Sequence, residues 1–181
     1  GKGGFGGFCE LPDRNKPVVC AVNGLAVGGG FEIVLAAEFV VAVDHAEFFL
    51  PETGLGIIPD AGAVRLPRVL PPVVANEVLY GGRRLNAEEA ERWGLVNRVV
   101  APGDLIDEAW ALARRIAAAA PLAVEAIMAV NRATQGRSVD EAFAHLRSGD
   151  QVAYERMLGS DDAQEGPRAF TEKREPRWQG R

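Results

Sequence analysis

The sequence predicts an α/β fold: a core of short strands and helices fills most of the chain and is followed by a purely helical module. Three observations predict it. The run Val18-Val19-Cys20-Ala21-Val22 is almost continuously apolar, the pattern of a strand covered on both faces. After the Asn23-Gly24 turn and Gly28-Gly29-Gly30, helix-compatible residues from Phe31 to Ala37 lead into a second strand pattern at Phe39–Val43, a β-turn-α-β order. Beyond Pro102 the apolar residues recur at helical spacing alone.

Taken in order, the opening Gly1-Lys2-Gly3-Gly4-Phe5-Gly6-Gly7 is too rich in glycine to hold a regular element. It is expected to be a loop or linker with further chain ahead of it. Phe48-Phe49-Leu50 reads as a short strand that delivers Pro51-Glu52 into a loop. Asn86 is placed to cap a helix beginning at Ala87-Glu88-Glu89, and Gly94 to end it; Leu95–Val100 then reads as another buried strand. Asp104–Ala119, Leu122–Thr134 and Ser138–Leu158 each read as a helix, the last opened by a capping box, Ser138-x-x-Glu141. A final helix is expected from about Ser160 to Arg174, with Pro167 bending it or confined to its first turns. The core is thus assigned to residues 1–119 and the helical module to 120–181.

Composition narrows the function. A chain of 181 residues, 48% hydrophobic and 25% charged, has the make-up of a globular domain with a real core. Its formal net charge of -5 provides no basic field for a nucleic-acid backbone. No apolar run reaches the ~18 residues needed to span a bilayer, so no membrane partner is expected. Cys9 and Cys20 show neither metal-ligand spacing nor a disulfide framework, and a reducing cytoplasm is the expected location. His45 and His145 belong to no Ser-His-Asp pattern.

The chemistry concentrates in Asn23-Gly24-Leu25-Ala26-Val27-Gly28-Gly29-Gly30-Phe31-Glu32. Three glycines directly before a helix let backbone amides approach a ligand closely, where the unpaired N–H groups of the helix end favour a negatively charged oxygen. A tight strand-to-helix turn needs glycine as well. The run lacks both the Gly-Lys-Ser/Thr ending of a phosphate loop and a dinucleotide fingerprint. Glu32 falls in the first helical turn among apolar neighbours, and burial equips a carboxyl to exchange protons near neutral pH. Glu52, judged alone, is as readily a solvated loop residue.

In order and spacing, these residues resemble the signature of the crotonase superfamily of hydratases and isomerases. The motifs are Asn23-Gly24, Gly28-Gly29-Gly30-Phe31-Glu32, Pro51-Glu52, Leu55-Gly56-Ile57-Ile58-Pro59, Arg83-Arg84-Leu85-x-Ala87-x-Glu89-Ala90, Trp93-Gly94-Leu95-Val96 and Glu165-Gly166-x-x-Ala169-Phe170-x-Glu172-Lys173-Arg174. Phe8-Cys9-Glu10-Leu11, Ile58-Pro59-Asp60 and Arg174-x-Pro176-x-Trp178 look most like the subgroup that interconverts carnitinyl-CoA and crotonobetainyl-CoA.

The resemblance implies a spiral core of ββα units, with the N-terminal part of the fold lying outside this chain. It implies an acyl-CoA thioester as partner, no metal, and no cofactor beyond the coenzyme A of the substrate. Gly29 would supply one oxyanion N–H, flanked by Gly28 and Gly30; the second would come from an upstream segment. Glu32 and Glu52 would share one water, Glu52 exchanging the proton at Cα and Glu32 holding the water at Cβ, with Pro51 lining the substrate. The helical module would build trimers, paired into hexamers, and present Phe170 and Lys173 to the coenzyme A of an adjacent subunit. After Pro59, Asp60-Ala61-Gly62 is one residue shorter than the family's glycine-rich turn, so the next helix is expected to shift. Asp60, or one of Trp93, Trp110 and Trp178, is a candidate receptor for a trimethylammonium group. An enoyl-CoA isomerase and a non-catalytic CoA-binding scaffold are the competing readings.

Overall fold

In the computed structural model, which describes Gly1 to Arg181, the first four strands are dealt alternately to two small sheets. β1 (Val19–Val22) and β3 (Phe39–Val43) belong to one, β2 (Leu25–Val27) and β4 (Glu47–Phe49) to the other, with helix α1 (Gly29–Ala36) between β2 and β3. β1 and β3 are parallel, with Cys20 opposite Val40, and β2 and β4 are parallel, with Ala26 opposite Phe48. Helices α2 (Asp60–Val69) and α3 (Pro72–Gly81) follow. The chain then returns through β5 (Leu85–Asn86), helix α4 (Ala87–Arg92) and β6 (Arg98–Val100). β6 completes the first sheet beside β3, and β5 pairs antiparallel with β4.

β3 is the central strand of its sheet, and its β-branched run Val40-Val41-Ala42-Val43 is buried. β1 lies at the edge of the same sheet. Of its residues only Val22 is buried and Ala21 is exposed, so the expected two-sided burial belongs to β3 and not to β1. Phe31 of α1 and Phe48 of β4 are fully buried, and their rings sit 5.6 Å apart in a tilted pair that ties the helix to the second sheet. The expected strand at Leu95–Val100 shrinks to Arg98–Val100. Leu95 and Val96 are instead buried in the turn after α4, their N–H groups donating to the Ala90 carbonyl. Asn86 caps α4 through a complete capping box with Glu89.

The chain divides into two compact units, Gly1–Arg14 with Val18–Ala113 and Asn15–Pro17 with Arg114–Arg181. α5 (Leu105–Ala117) leads from the first into the second, which consists of α6 (Pro121–Thr134), α7 (Val139–Leu146), α8 (Val152–Leu158) and α9 (Asp161–Glu172). α7 and α8 replace the single helix expected over Ser138–Leu158. Gly149 adopts a left-handed conformation (φ 83°), and the Ser148 hydroxyl accepts the Asp150 N–H, which breaks the helical ladder between them. Pro167 lies inside α9, in its second turn.

The C-terminal tail is strapped to α9 by carboxylates. Buried Asp162 accepts the N–H groups of Gln179 (2.6 Å) and Gly180 (3.0 Å), and Glu165 accepts the Arg177 N–H (2.8 Å) and a two-pronged contact from Arg174 (2.6 and 2.9 Å). Between them the Trp178 indole N–H donates to the Ala118 carbonyl. The Arg174 guanidinium, aided by the Arg177 N–H, holds the Glu165 carboxyl down at about 2, from an ordinary 4.5. Because the folded value is depressed, this contribution is complete above 4.5 and is lost as the pH falls toward about 2. In a Trp93→Phe, Trp110→Phe background, Glu165→Gln is expected to red-shift Trp178 emission at neutral pH, a shift the parent shows only on acidification through that window. Identical emission of the two proteins across the titration would remove Glu165 from the strap.

Candidate active site

Of the sequence-predicted site residues in the first unit, all but Asp60 lie on or beside the N-terminus of α1, and the backbone of Gly28 fixes their arrangement. Gly28 stands at φ 53°, ψ −124°, a conformation open to glycine and strained for other residues. Its N–H donates to the Phe49 carbonyl of β4 and its carbonyl accepts the Glu32 N–H, both at 3.0 Å. Strand, turn and helix are thereby locked through one residue. The following helix begins inside the glycine run, at Gly29, two residues earlier than the side-chain pattern indicated.

Glu32 is 5% exposed, and one of its carboxylate oxygens accepts the Gly62 N–H at 2.9 Å. That donor comes from the first turn of α2, so two helix N-termini orient one carboxylate. The Cys9 thiol, also buried, is pushed up first by its burial and then by the Glu32 charge, with Arg65 opposing. Arg65 of α2 donates to the Cys9 carbonyl at 2.7 Å, which pins the N-terminal segment to the same helix that holds Glu32.

Glu52 opens a short 3-10 turn (Glu52–Leu55) directly after Pro51. One carboxylate oxygen lies 2.6 Å from the point a Gly28 Cβ would occupy. The other is buried and has no hydrogen-bond partner. Leaving such an atom unpaired costs ~1–3 kcal/mol, an expense that native structures carry where a ligand supplies the missing partner. Beside it a cleft of about 400 Å³ is lined by residues including Phe49, Pro51, Thr53, Tyr80 and Arg84. The Arg84 guanidinium covers the Phe49 ring at 4.2 Å and pairs with Glu47 at 3.0 Å. A larger cleft of about 700 Å³ lies in the second unit, but its lining of Asp162, Glu165, Arg174 and Arg177 belongs to the tail strap.

Gly28, Gly29, Glu32, Pro51 and Glu52 are therefore neighbours around one helix end. Gly30 has open space where a side chain would project. Asp60 is exposed as the first residue of α2, two positions before the Gly62 amide that holds Glu32. Phe170 and Lys173 belong to the second unit: Phe170 is 87% exposed on α9, and Lys173 ends that helix in a left-handed conformation (φ 53°). Sequence reasoning missed two participants. Gly62 acts through its backbone, for which its identity carried no signal. Phe5 lies in the glycine-rich opening read as a structureless loop, yet it forms a 3-10 turn (Phe5–Gly7) with its ring against Gly29.

The chain is similar to known proteins over nearly its whole length. A family model described as enoyl-CoA hydratase/isomerase matches residues 2–181. Proteins named carnitinyl-CoA dehydratase are 55% identical over 181 residues in Salmonella arizonae, covering 99% of this chain and 69% of the relative, and 54% identical over 182 residues in Proteus mirabilis, covering 100% and 70%. The crystal structure of an enoyl-CoA hydratase from Mycobacterium tuberculosis superposes with a TM-score of 0.88 at 40% identity, covering 97% of this chain and 68% of that one. With a match across nearly every residue and the same fold, the chain belongs to the enoyl-CoA hydratase/isomerase family.

Proposed function

We propose that the protein is a hydro-lyase that reversibly adds water across the double bond of a 2-enoyl-CoA thioester and that its substrate pair is crotonobetainyl-CoA and carnitinyl-CoA. The observation that carries the reading is the Glu52 carboxylate, held against Gly28 with one buried oxygen unpaired, at the helix end that also carries Glu32. The named relatives supply the substrate pair.

In this reading the thioester oxygen accepts the Gly29 N–H at the N-terminus of α1. A donor of this kind contributes ~2.7–4 kcal/mol where negative charge develops, because it is already oriented before the enolate forms. Glu32, fixed by the Gly62 amide, holds the water that attacks Cβ and takes its proton. Glu52 delivers a proton to Cα through its unpaired oxygen. Dehydration runs the same steps backwards: Glu52 removes the Cα proton, and Glu32 protonates the departing hydroxyl. Asp60 and Pro51 border the acyl group. The second unit builds a homotrimer or a dimer of trimers, and the exposure of Phe170 supports a role for α9 at the coenzyme A of an adjacent subunit.

The test is to incubate the purified protein with crotonobetainyl-CoA and with crotonyl-CoA while following loss of the conjugated enoyl-thioester absorbance. Loss with crotonobetainyl-CoA and formation of the β-hydroxy product are expected. No change with either substrate would overturn the hydro-lyase reading in favour of a scaffold, and double-bond migration without water uptake would overturn it in favour of an isomerase.

A further inference from the structure

We infer that the Phe5 ring receives the quaternary ammonium of the acyl group and thereby sets the preference for cationic over neutral enoyl-CoA thioesters. The inference rests on the proposed reaction. It begins from the placement of the ring. A Cβ built on Gly29 would overlap Cζ and Cε1 of Phe5 and lie 2.7 Å from Cε2, so the oxyanion glycine packs over one face of the ring near its para carbon, which leaves the opposite face for a ligand. Phe5 is 55% exposed. An apolar ring standing in solvent beside a reaction centre is unfavourable unless something covers it on binding.

The ring is held firmly. The N–H groups of Phe8 and Cys9 both donate to the Phe5 carbonyl at 3.2 Å, Cys9 is buried, and Gly4, Gly6 and Gly7 take left-handed conformations that only a run of this composition adopts readily. A side chain on Gly6 would come within 3.2 Å of Ile33 of α1, so this turn seats directly on the helix. The glycine-rich opening is thus a mount for one aromatic side chain.

Nor is the ring engaged by an arginine. Phe8, Phe49 and Phe143 each carry an arginine guanidinium, at 4.9, 4.2 and 5.2 Å from the ring centroid, whereas Phe5 carries none. The Glu10 carboxylate lies on Gly4, 2.5 Å from where its Cβ would be, which places negative charge at the residue before Phe5. The proposed pose keeps the thioester oxygen on Gly29 and lays the trimethylammonium group, borne on the carbon after Cβ, on the ring face away from Gly29, inside the ~6 Å over which a cation and an aromatic face attract. Trp178 is unsuited to the task, since its indole N–H is committed to Ala118 within the second unit.

The experiment measures binding of 4-(trimethylammonio)butanoyl-CoA, which is saturated and does not react, and of its neutral isostere with a tert-butyl group in place of trimethylammonium. Calorimetry on the wild type, Phe5→Leu and Phe5→Tyr separates the cases. Phe5→Leu is expected to weaken the cationic ligand about 5- to 30-fold and the isostere less than about threefold, while Phe5→Tyr restores the preference. Equal weakening of both ligands by Phe5→Leu, or equal affinity of the wild type for both, would overturn the inference. Turnover of crotonobetainyl-CoA by the wild type is scored separately, so the proposed reaction can stand while the role of Phe5 falls.

Discussion

Glu52→Gln is expected to lower kcat for crotonobetainyl-CoA hydration by ~10²–10⁴-fold, the range over which a positioned general acid–base acts. The amide retains the shape of the carboxyl but cannot deliver a proton to Cα. Stability should not fall with activity, because the buried carboxylate oxygen that the substitution replaces has no partner in the folded chain. Glu32→Gln is expected to lose as much activity, although its amide oxygen can still accept the Gly62 N–H. The two variants separate in a different measurement. Exchange of the Cα protons of 4-(trimethylammonio)butanoyl-CoA with deuterated solvent needs enolate formation but no water at Cβ. Glu52→Gln should abolish this exchange, and Glu32→Gln should retain much of it. Combining the two should cost little more in kcat than either alone, since groups that serve one proton inventory are not additive. If both single variants kept hydration within about tenfold of wild type, a loss too small for a general acid–base, the assignment of the glutamates would fail.

The readability of this chain differed from element to element, for physical reasons. The capping box at Asn86 and Glu89 and the one at Ser138 and Glu141 were visible because their hydrogen bonds are local and depend on side-chain identity at fixed spacing. The strand Phe39–Val43 was visible because a central strand is buried on both faces and shows it as an unbroken apolar run. The neighbouring run Val19–Val22 is just as apolar but lies at a sheet edge, a difference made by partners far away in sequence. Helix α3 drew no assignment, because its exposed Val73 blurs its apolar stripe. At the site, Gly29, Glu32 and Glu52 were legible only in combination, through their order along the chain. The Gly62 amide was not legible, since a backbone donor is available from almost any residue and only the tertiary fold decides which one faces a carboxylate.

Gly28→Ala is expected to be the most disruptive single-methyl change in the Gly28-Gly29-Gly30 run. At φ 53°, ψ −124° an L-residue pays a backbone penalty of ~1–3 kcal/mol. The new methyl would also lie 2.6 Å from the Glu52 carboxylate oxygen, below any real carbon–oxygen approach, so the Glu52 side chain or the turn must give way. A total of ~2–5 kcal/mol corresponds to a Tm lower by ~5–15 °C in a domain of this size. Activity should fall further than the folded fraction accounts for, because the displaced group is Glu52 itself. The adjacent glycines provide the contrast. A methyl on Gly29 meets the Phe5 ring first, a partly exposed side chain in ordinary helical surroundings rather than a strained backbone, so its cost in Tm should be smaller, and by displacing the ring it should reproduce the ligand preference of Phe5→Leu. Gly30→Ala projects into open space within α1, where alanine is preferred to glycine by ~0.5–1 kcal/mol, and should hold or raise Tm. Thermal melts of the three variants in parallel check the order. Were Gly28→Ala to melt with Gly30→Ala, the conformation and close approach assigned to Gly28 would be wrong, and with them the placement of Glu52.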